Sequence, residues 1–234
     1  MHKPWVFGWA QVQSSRRLTQ EDAGYVNSDQ VILADGMGGD PQKLGGVVAR
    51  TVVDLGIRRF LRSERDKDLS SFVDAVRKKY NRRGVLLPEG GKTAACTFLC
   101  MKRAAKDAVH FAQLGDGLIA HIDLTGKARF LTTDQVNAQG ALEGYLSTQQ
   151  CLQAPVWGSV TLRKGEVMLC MTDGLSTLFR AQPETLGRWL LQGIDDAGGD
   201  VPAGLHAALS AIEDQLTDNT SVALLGTGQR PKFL

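Results

Sequence analysis

Five aspartates stand where apolar runs begin or end. Asp35 closes Val31-Ile32-Leu33-Ala34 and leads into Gly36-Met37-Gly38-Gly39. Asp116 follows Phe111-Ala112-Gln113-Leu114-Gly115 and precedes Gly117. Asp173 follows Met168-Leu169-Cys170-Met171-Thr172 and precedes Gly174. Asp218 stands before Asn219-Thr220 at the entry to the last apolar run, and Glu21-Asp22 opens another. An Asp-Gly pair is also the favoured two-residue hairpin turn, so each site alone reads equally well as a turn. Taken together they carry more. Carboxylates at the ends of neighbouring core strands converge, and converging anions repel unless cations lie between them. Oxygen-only ligands suit hard ions, Mg²⁺ or Mn²⁺. His2, His110, His121 and His206 all lie away from these motifs, which argues against zinc. A glycine after the aspartate lets a backbone carbonyl approach an ion.

Two such ions roughly 3.5–4 Å apart share a carboxylate and suit in-line attack of water on a phosphate ester. That reaction needs a cation for the phosphoryl oxygens. Arg17, just ahead of Glu21-Asp22, is a bidentate donor in the right place.

The elements that must position these residues are legible from periodicity. Residues 5–13 and 22–35 read as strands. Asp40-Pro41 reads as a helix start, with Leu44, Val47, Val48, Thr51, Val52 and Leu55 marking its buried face. A second helix is predicted over 70–80. Strands follow at 93–101, 108–114, 118–124 and 128–132, separated by turn signals. Residues 134–157 lack a clear period and read as a loop excursion. Strands return at 159–163 and 166–171, helices at 183–192 and 202–216, and a last strand at 221–225. The order is strands, two helices, many strands, two helices, one strand. It predicts a layered α+β domain with helices over antiparallel sheets, not a βαβα alternation.

Composition bounds the function classes. The chain has 234 residues, with 27 Lys and Arg against 25 Asp and Glu, for a net charge of +2. That balance argues against nucleic acid and against a membrane surface as partners. No run approaches the roughly 20 apolar residues of a membrane span. The N-terminus has no signal-peptide pattern, so a cytoplasmic protein is expected. Cys96, Cys100, Cys151 and Cys170 form no CxxC pair and read as buried, reduced thiols. Nothing divides the chain, so 1–234 is expected to be a single domain, with a loose tail over 227–234.

The motifs carry a family resemblance. Arg17-Leu18-Thr19-Gln20-Glu21-Asp22 resembles the Arg-x-x-Asn-Glu-Asp opening of the metal-dependent protein phosphatases, the PPM or type-2C family. Asp35-Gly36-Met37-Gly38-Gly39 resembles its Asp-Gly-Met-Gly-Gly motif as bacterial members carry it. Gly91-Lys92-Thr93-Ala94, Gly115-Asp116-Gly117, Thr172-Asp173-Gly174-Leu175 and Asp218-Asn219-Thr220-Ser221 resemble the four that follow. All six occur in family order, over about residues 8 to 226.

The resemblance implies an α-β-β-α sandwich: two antiparallel sheets face to face, with helix pairs outside. It implies hydrolysis of phosphoserine and phosphothreonine on proteins by a metal-bound water or hydroxide, opposing a Ser/Thr kinase in a bacterial signalling circuit. By motif position Asp35 bridges two Mn²⁺ or Mg²⁺ ions and Gly36 offers its carbonyl. Asp173 and Asp218 complete the first metal site. Glu21 and Asp22 hold metal-bound waters or sit at the metal's edge. Asp116, with Asp173, serves a third ion, and Arg17 binds the substrate phosphate. Residues 134–157 take the place of the family's flap beside the active site. There Asn137, Gln139, Tyr145, Gln149 and Gln150 suit hydrogen bonding to a peptide. A monomer is expected.

The chain departs from the pattern at Gln20 for Asn, Lys92 for Thr, and Gly117-Leu118 for Ser-Arg. Asp40 follows the Gly-Gly where many bacterial members have His, and Met37 stands where some eukaryotic members place a His. These changes motivate an alternative, a pseudophosphatase that binds a phosphoprotein without cleaving it. A hydrolase of small phosphoesters or nucleotides is a further rival.

Overall fold

In a computed structural model of the chain, residues 5–37, 44–60, 78, 95–104, 107–147, 153–180 and 182–227 are described. Gly38-Gly39, Asp40-Pro41, the helix predicted over 70–80 apart from Lys78, and Gly91-Lys92-Thr93-Ala94 lie outside them.

The strands are β1 (Trp5–Val12), β2 (Ala23–Val26), β3 (Gln30–Ala34), β4 (Ala95–Cys96), β5 (Phe98–Arg103) and β6 (Ala108–Leu114). They continue with β7 (Leu118–Ile122), β8 (Ala128–Phe130), β9 (Leu146–Ser147), β10 (Val156–Thr161), β11 (Val167–Met171) and β12 (Thr220–Thr227). The helices are α1 (Gly45–Phe60), α2 (Asp173–Phe179), α3 (Pro183–Asp196) and α4 (Val201–Ser210). A short 3₁₀ turn, Glu213–Gln215, precedes β12.

Two five-stranded antiparallel sheets form, ordered β1-β12-β11-β7-β8 and β10-β6-β5-β3-β2. A small third ladder pairs β4 with β9. The continuous apolar run of β3 is explained by what covers each face. Val31 and Leu33 point between the sheets, where they join Leu99, Met101, Ile119, Met168, Cys170, Ala223 and Leu225. Ile32 and Ala34 point the other way, under Val48, Val52 and Leu55 of α1. β12 does the same on the second sheet. Ala223 and Leu225 face inward, and Val222 and Leu224 lie under Leu186, Leu190, Ile194, Leu205 and Leu209 of the α3–α4 pair. Strands covered on both faces have no polar side to display, so alternation is lost. The expected layering of helix, sheet, sheet and helix is present.

Most boundaries shift by a residue or two. Residues 22–35 split at Asn27, whose side-chain oxygen accepts from the backbone of Asp29 and Gln30 and turns β2 into β3. The strand expected at 159–163 is β10 at Val156–Thr161, paired along its length with β6. The last strand runs on to Thr227, which is buried and donates its hydroxyl to Arg163 O at 2.6 Å. The loose tail expected from residue 227 therefore does not include Thr227, and residues 228–234 lie outside the described residues. The helix expected to 216 ends at Ser210, and its start is capped by Asp200, whose carboxylate accepts from Ala203 N. Cys96, Cys100 and Cys170 are buried free thiols, and burial pushes the Cys100 thiol up to about 12. Among the described residues no helix is long and apolar enough to cross a membrane.

Candidate metal centre

The two sheets end together at one edge of the sandwich, and the aspartates gather there. Asp22 enters β2 and Asp35 leaves β3, both in the second sheet. Asp116 sits in the turn from β6 to β7. Asp173 and Asp218 belong to the first sheet, one leaving β11 and the other entering β12. Asp35, Gly36, Asp116, Asp173 and Asp218 line one cleft of about 190 Å³ with Met37, Thr97 and Leu142.

Their mutual approach is direct. The Asp35 carboxyl lies at hydrogen-bonding reach of both Asp22 and Asp173. Burial first, then the charges of Asp22 and Asp173, push Asp35 well above the usual carboxylate range. Burial raises Asp22 to about 6 against hydrogen bonds that include one from the Thr172 hydroxyl at 3.1 Å. Burial and the Asp218 charge also raise Asp173. Asp116 rises to about 6 through burial and the Asp173 charge. Two oxygens, Asp22 Oδ1 and Asp173 Oδ1, are buried and meet no donor.

An all-oxygen set of mutually repelling, underused acceptors suits hard divalent cations. Among the described residues no three ligating side chains stand in finished coordination geometry. The carboxylates converge on a common space without closing it, and the residues present fit the ions that the sequence implies.

Neighbouring backbone holds these carboxylates from behind. Asp35 N donates to Thr97 Oγ1 at 3.3 Å, and Thr97 N donates to Asp35 O at 2.8 Å. Gly36 N donates to Glu21 O at 3.2 Å, and Met37 N to Ala95 O at 2.9 Å. Gly36 has no room for a side chain: a Cβ would lie 2.3 Å from the backbone carbon of Gly45. The start of α1 thus presses on the Asp35-Gly36 turn. Glu21 faces that contact, its Oε1 lying 3.2 Å from where a Cβ on Gly45 would stand. Glu21 sits beside the first turn of α1, whose dipole favours an anion. Gln20, one methylene longer than the expected Asn, uses its Oε1 to accept from Asp22 N at 3.0 Å.

Arg17 reaches the same wall and pairs with the Asp218 carboxylate. That bond and the Asp218 charge raise the Arg17 pKa further against the cost of burial, so it is a permanent cation. The predicted phosphate-binding arginine and a predicted metal ligand are therefore direct neighbours.

Several features escaped the sequence. Asp173 opens a helix, α2, rather than a hairpin turn, with Gly174 and Leu175 buried behind it. Asp134 and Arg180 form an ion pair beside Asp116, the Asp134 charge raising its pKa and the Arg180 charge lowering it. Within the 134–157 excursion, Asn137 is consumed locally: its side-chain oxygen accepts from Gln139 N and Ala141 N. Among the described residues of the excursion, the apolar Leu142 lines the cleft. Gln149 and Gln150 lie outside the described residues. His121 pairs with Glu166 at 3.2 Å, away from the cleft.

A protein-family model described as protein phosphatase 2C matches residues 14–210. The chain belongs to this family. Its enzyme class is that of the serine/threonine protein phosphatases, which are hydrolases. Solved structures of similar fold include the catalytic domain of the serine/threonine phosphatase PstP in complex with two manganese ions. It is 20% identical with a TM-score of 0.75, over 96% of this chain and 99% of that one. The Mycobacterium smegmatis PPM phosphatase MsPP, in complex with cacodylate, is 18% identical with a TM-score of 0.72, over 97% and 100%. PppA, a regulatory component of the type VI secretion system in Pseudomonas aeruginosa, is 18% identical with a TM-score of 0.72, over 95% and 97%. No curated protein matches the chain by sequence.

Proposed function

We propose that this phosphatase hydrolyses phosphoserine and phosphothreonine on proteins at a binuclear Mn²⁺ or Mg²⁺ centre. The observation that carries the reading is the gathering of Asp35, Asp116, Asp173 and Asp218, drawn from both sheets, on the wall of one cleft. Carboxylates from both sheets then face one space, which is the placement that ligands shared between two ions need. Asp35, the Gly36 carbonyl, Asp173 and Asp218 are assigned to the two ions. Asp116, with Asp173, is assigned to a third.

When bound, such ions lower the pKa of water and neutralise the phosphoryl oxygens. The chain's own residues do the rest. Arg17 binds the phosphate through its guanidinium fork, and its pairing with Asp218 holds it at the cleft wall in advance. Asp22 and Glu21 sit behind the ligands. Buried Asp22 accepts from Thr172 and orients its neighbours, and Glu21 holds solvent at the edge of the site. No histidine lines the cleft among the described residues, so the leaving alkoxide takes its proton from solvent held by these carboxylates.

The substrate is a phosphorylated protein and the opposing enzyme a Ser/Thr kinase, in a bacterial signalling circuit. The buried thiols suit a reducing cytoplasm, and the chain acts as a monomer.

The test is phosphate release from a phosphothreonine peptide with Mn²⁺, with EDTA, and with Asp35→Asn and Asp173→Asn. Metal-dependent turnover lost in both variants is the expected result. Metal binding and tight phosphopeptide binding without turnover in the unsubstituted chain would establish the pseudophosphatase instead. Faster turnover of nucleotides than of phosphopeptides would move the substrate class. Turnover that survives Asp35→Asn would overturn the assignment of the centre.

A further inference from the structure

A polar connection leads out from the loops of the cleft through one buried side chain, Gln135. Its Oε1 accepts from Gly115 N at 2.8 Å, and its Nε2 donates to Ala154 O at 2.7 Å. Its backbone N donates to Gly115 O at 3.0 Å, and its carbonyl accepts from Glu143 N at 2.8 Å and Gly144 N at 3.3 Å. One residue therefore ties three pieces together: the root of the excursion, its far end at Ala154, and the loop that carries Asp116.

Gln113, fully buried on β6, grips the same loop from the other side. Its Nε2 lies within hydrogen-bond distance of Gly115 O at 2.7 Å, Gly117 O at 2.9 Å and Thr133 O at 2.9 Å. Gly115 has φ of +125°, and a Cβ on it would lie 2.5 Å from Cβ of Thr97. Thr97 in turn exchanges two hydrogen bonds with the backbone of Asp35. Gln135 thus reaches Asp116 through Gly115 directly and Asp35 through Gly115 and Thr97.

The space for this amide is kept open by Gly144. A Cβ at that position would stand 1.9 Å from Gln135 Oε1 and 2.7 Å from its Cδ. Leu142, two residues earlier, lines the cleft. The segment that walls the cleft and the loops that carry its carboxylates share one buried amide. Only a glutamine of this length supplies both the acceptor and the donor that Gly115 and Ala154 require.

We propose that Gln135 is a positioning residue that locks the excursion to the metal-binding carboxylates. The wall a substrate meets and the ions that act on it then keep one geometry. The inference rests on the metal centre proposed above. Side chains that orient metal ligands typically contribute about 10–100-fold in metal affinity, and that is the effect expected here.

The test is calorimetric titration of the whole chain with MnCl₂, beside melting in EDTA. Four variants are compared: Gln135→Ala, Gln135→Met, Gly144→Ala and the double variant Gln135→Ala/Gly144→Ala. Gln135→Met preserves volume and removes both amide bonds. It is expected to melt close to the unsubstituted chain and to bind Mn²⁺ about 10-fold more weakly. Gly144→Ala evicts the amide without touching it and is expected to weaken Mn²⁺ similarly. The double variant is expected to be no weaker than Gln135→Ala, because an alanine at 144 then has nothing left to displace. A merely structural role lowers the melting temperature and leaves the Mn²⁺ isotherm of the Met variant unchanged. That outcome, or losses from the two sites that simply add, overturns the inference. Absence of Mn²⁺ binding in the unsubstituted chain overturns the metal centre itself, and the inference with it.

Discussion

Asp22 is the carboxylate whose removal gives the sharpest physical test. It is 4% exposed, and burial raises it from 3.8 to about 6. A group whose pKa is raised on folding costs stability above that pKa and nothing below its unfolded value. The metal-free protein therefore loses stability as pH climbs from 3.8 through 6. At about 1.36 kcal/mol per pKa unit, the charged Asp22 costs about 3 kcal/mol at pH 7.5. Asp22→Asn removes this cost. The amide oxygen still accepts from the Thr172 hydroxyl, and the new N–H group faces the Asp35 carboxyl that Asp22 now contacts. Each kcal/mol moves Tm by roughly 2–4 °C in a chain of this size. In EDTA at pH 7.5 the variant is expected to melt about 6–12 °C above the unsubstituted protein. The gap should close towards pH 4. Saturating Mn²⁺ should stabilise the unsubstituted protein more, because a variant with one carboxylate fewer repels itself less and has less to gain. The measurement is a set of melting curves over pH 4–8, with and without Mn²⁺. A variant that melts lower than the parent in EDTA at pH 7.5 would refute the reasoning. So would a gap that is the same at pH 4 as at pH 7.5.

Two further outcomes are expected. Arg17→Ala removes the cation at the cleft wall and frees Asp218 from its partner. A charged hydrogen bond contributes about 1.5–3 kcal/mol, so kcat/KM on a phosphopeptide should fall roughly 10- to 100-fold, with Arg17→Lys recovering little because a point charge does not replace the fork. Steady-state kinetics check this, and a fall of less than threefold removes Arg17 from the phosphate site. Gly204→Ala tests the packing of the outer helices. A Cβ there would lie 2.4 Å from Ile194 Cα, so α3 and α4 must part, at a cost of about 1–3 kcal/mol. Denaturant unfolding measures it, and Mn²⁺ affinity is expected to stay unchanged because the helix pair lies outside the sheet from the cleft.

How much of this was legible in the sequence follows from what each signal depends on. The fold class and the five aspartates were readable because strand ends are local: an apolar run starts or stops at a carboxylate, and at Asp35, Asp116 and Asp173 a glycine follows. β3 was unmistakable because both its faces are buried, so every residue from Val31 to Ala34 is apolar. α2 was missed because Asp173-Gly174 is equally a turn signal and the helix is only seven residues long. Too few turns remain for a 3.6-residue period to register. Gln113 and Gln135 were missed for a different reason. Their partners are backbone atoms, some about 20 residues away along the chain, and a backbone carbonyl leaves no mark in a sequence. Asn137 reads as suited to a peptide, and the structure shows its side-chain oxygen capping its own loop. Asparagine in a Gly-containing loop serves its own backbone through the same chemistry that would serve a ligand.

The site is divided between the two sheets, and this has an energetic consequence. Asp22 and Asp35 come from one sheet, and Asp173 and Asp218 from the other. The apolar layer between the sheets holds these charges together against their repulsion. Removing that repulsion is worth more as pH rises and more of these carboxylates ionise. A divalent ion bound to both groups therefore stabilises the sandwich as a whole, by an amount that grows with ion concentration. The family's departures in this chain, at Gln20 and Gly117-Leu118, leave that arrangement in place. Gln20 still holds Asp22 N, and the Gly117 carbonyl accepts from Gln113 Nε2. At Gln20 and Gly117 the altered positions keep contacts to the backbone, while the motif aspartates themselves are retained.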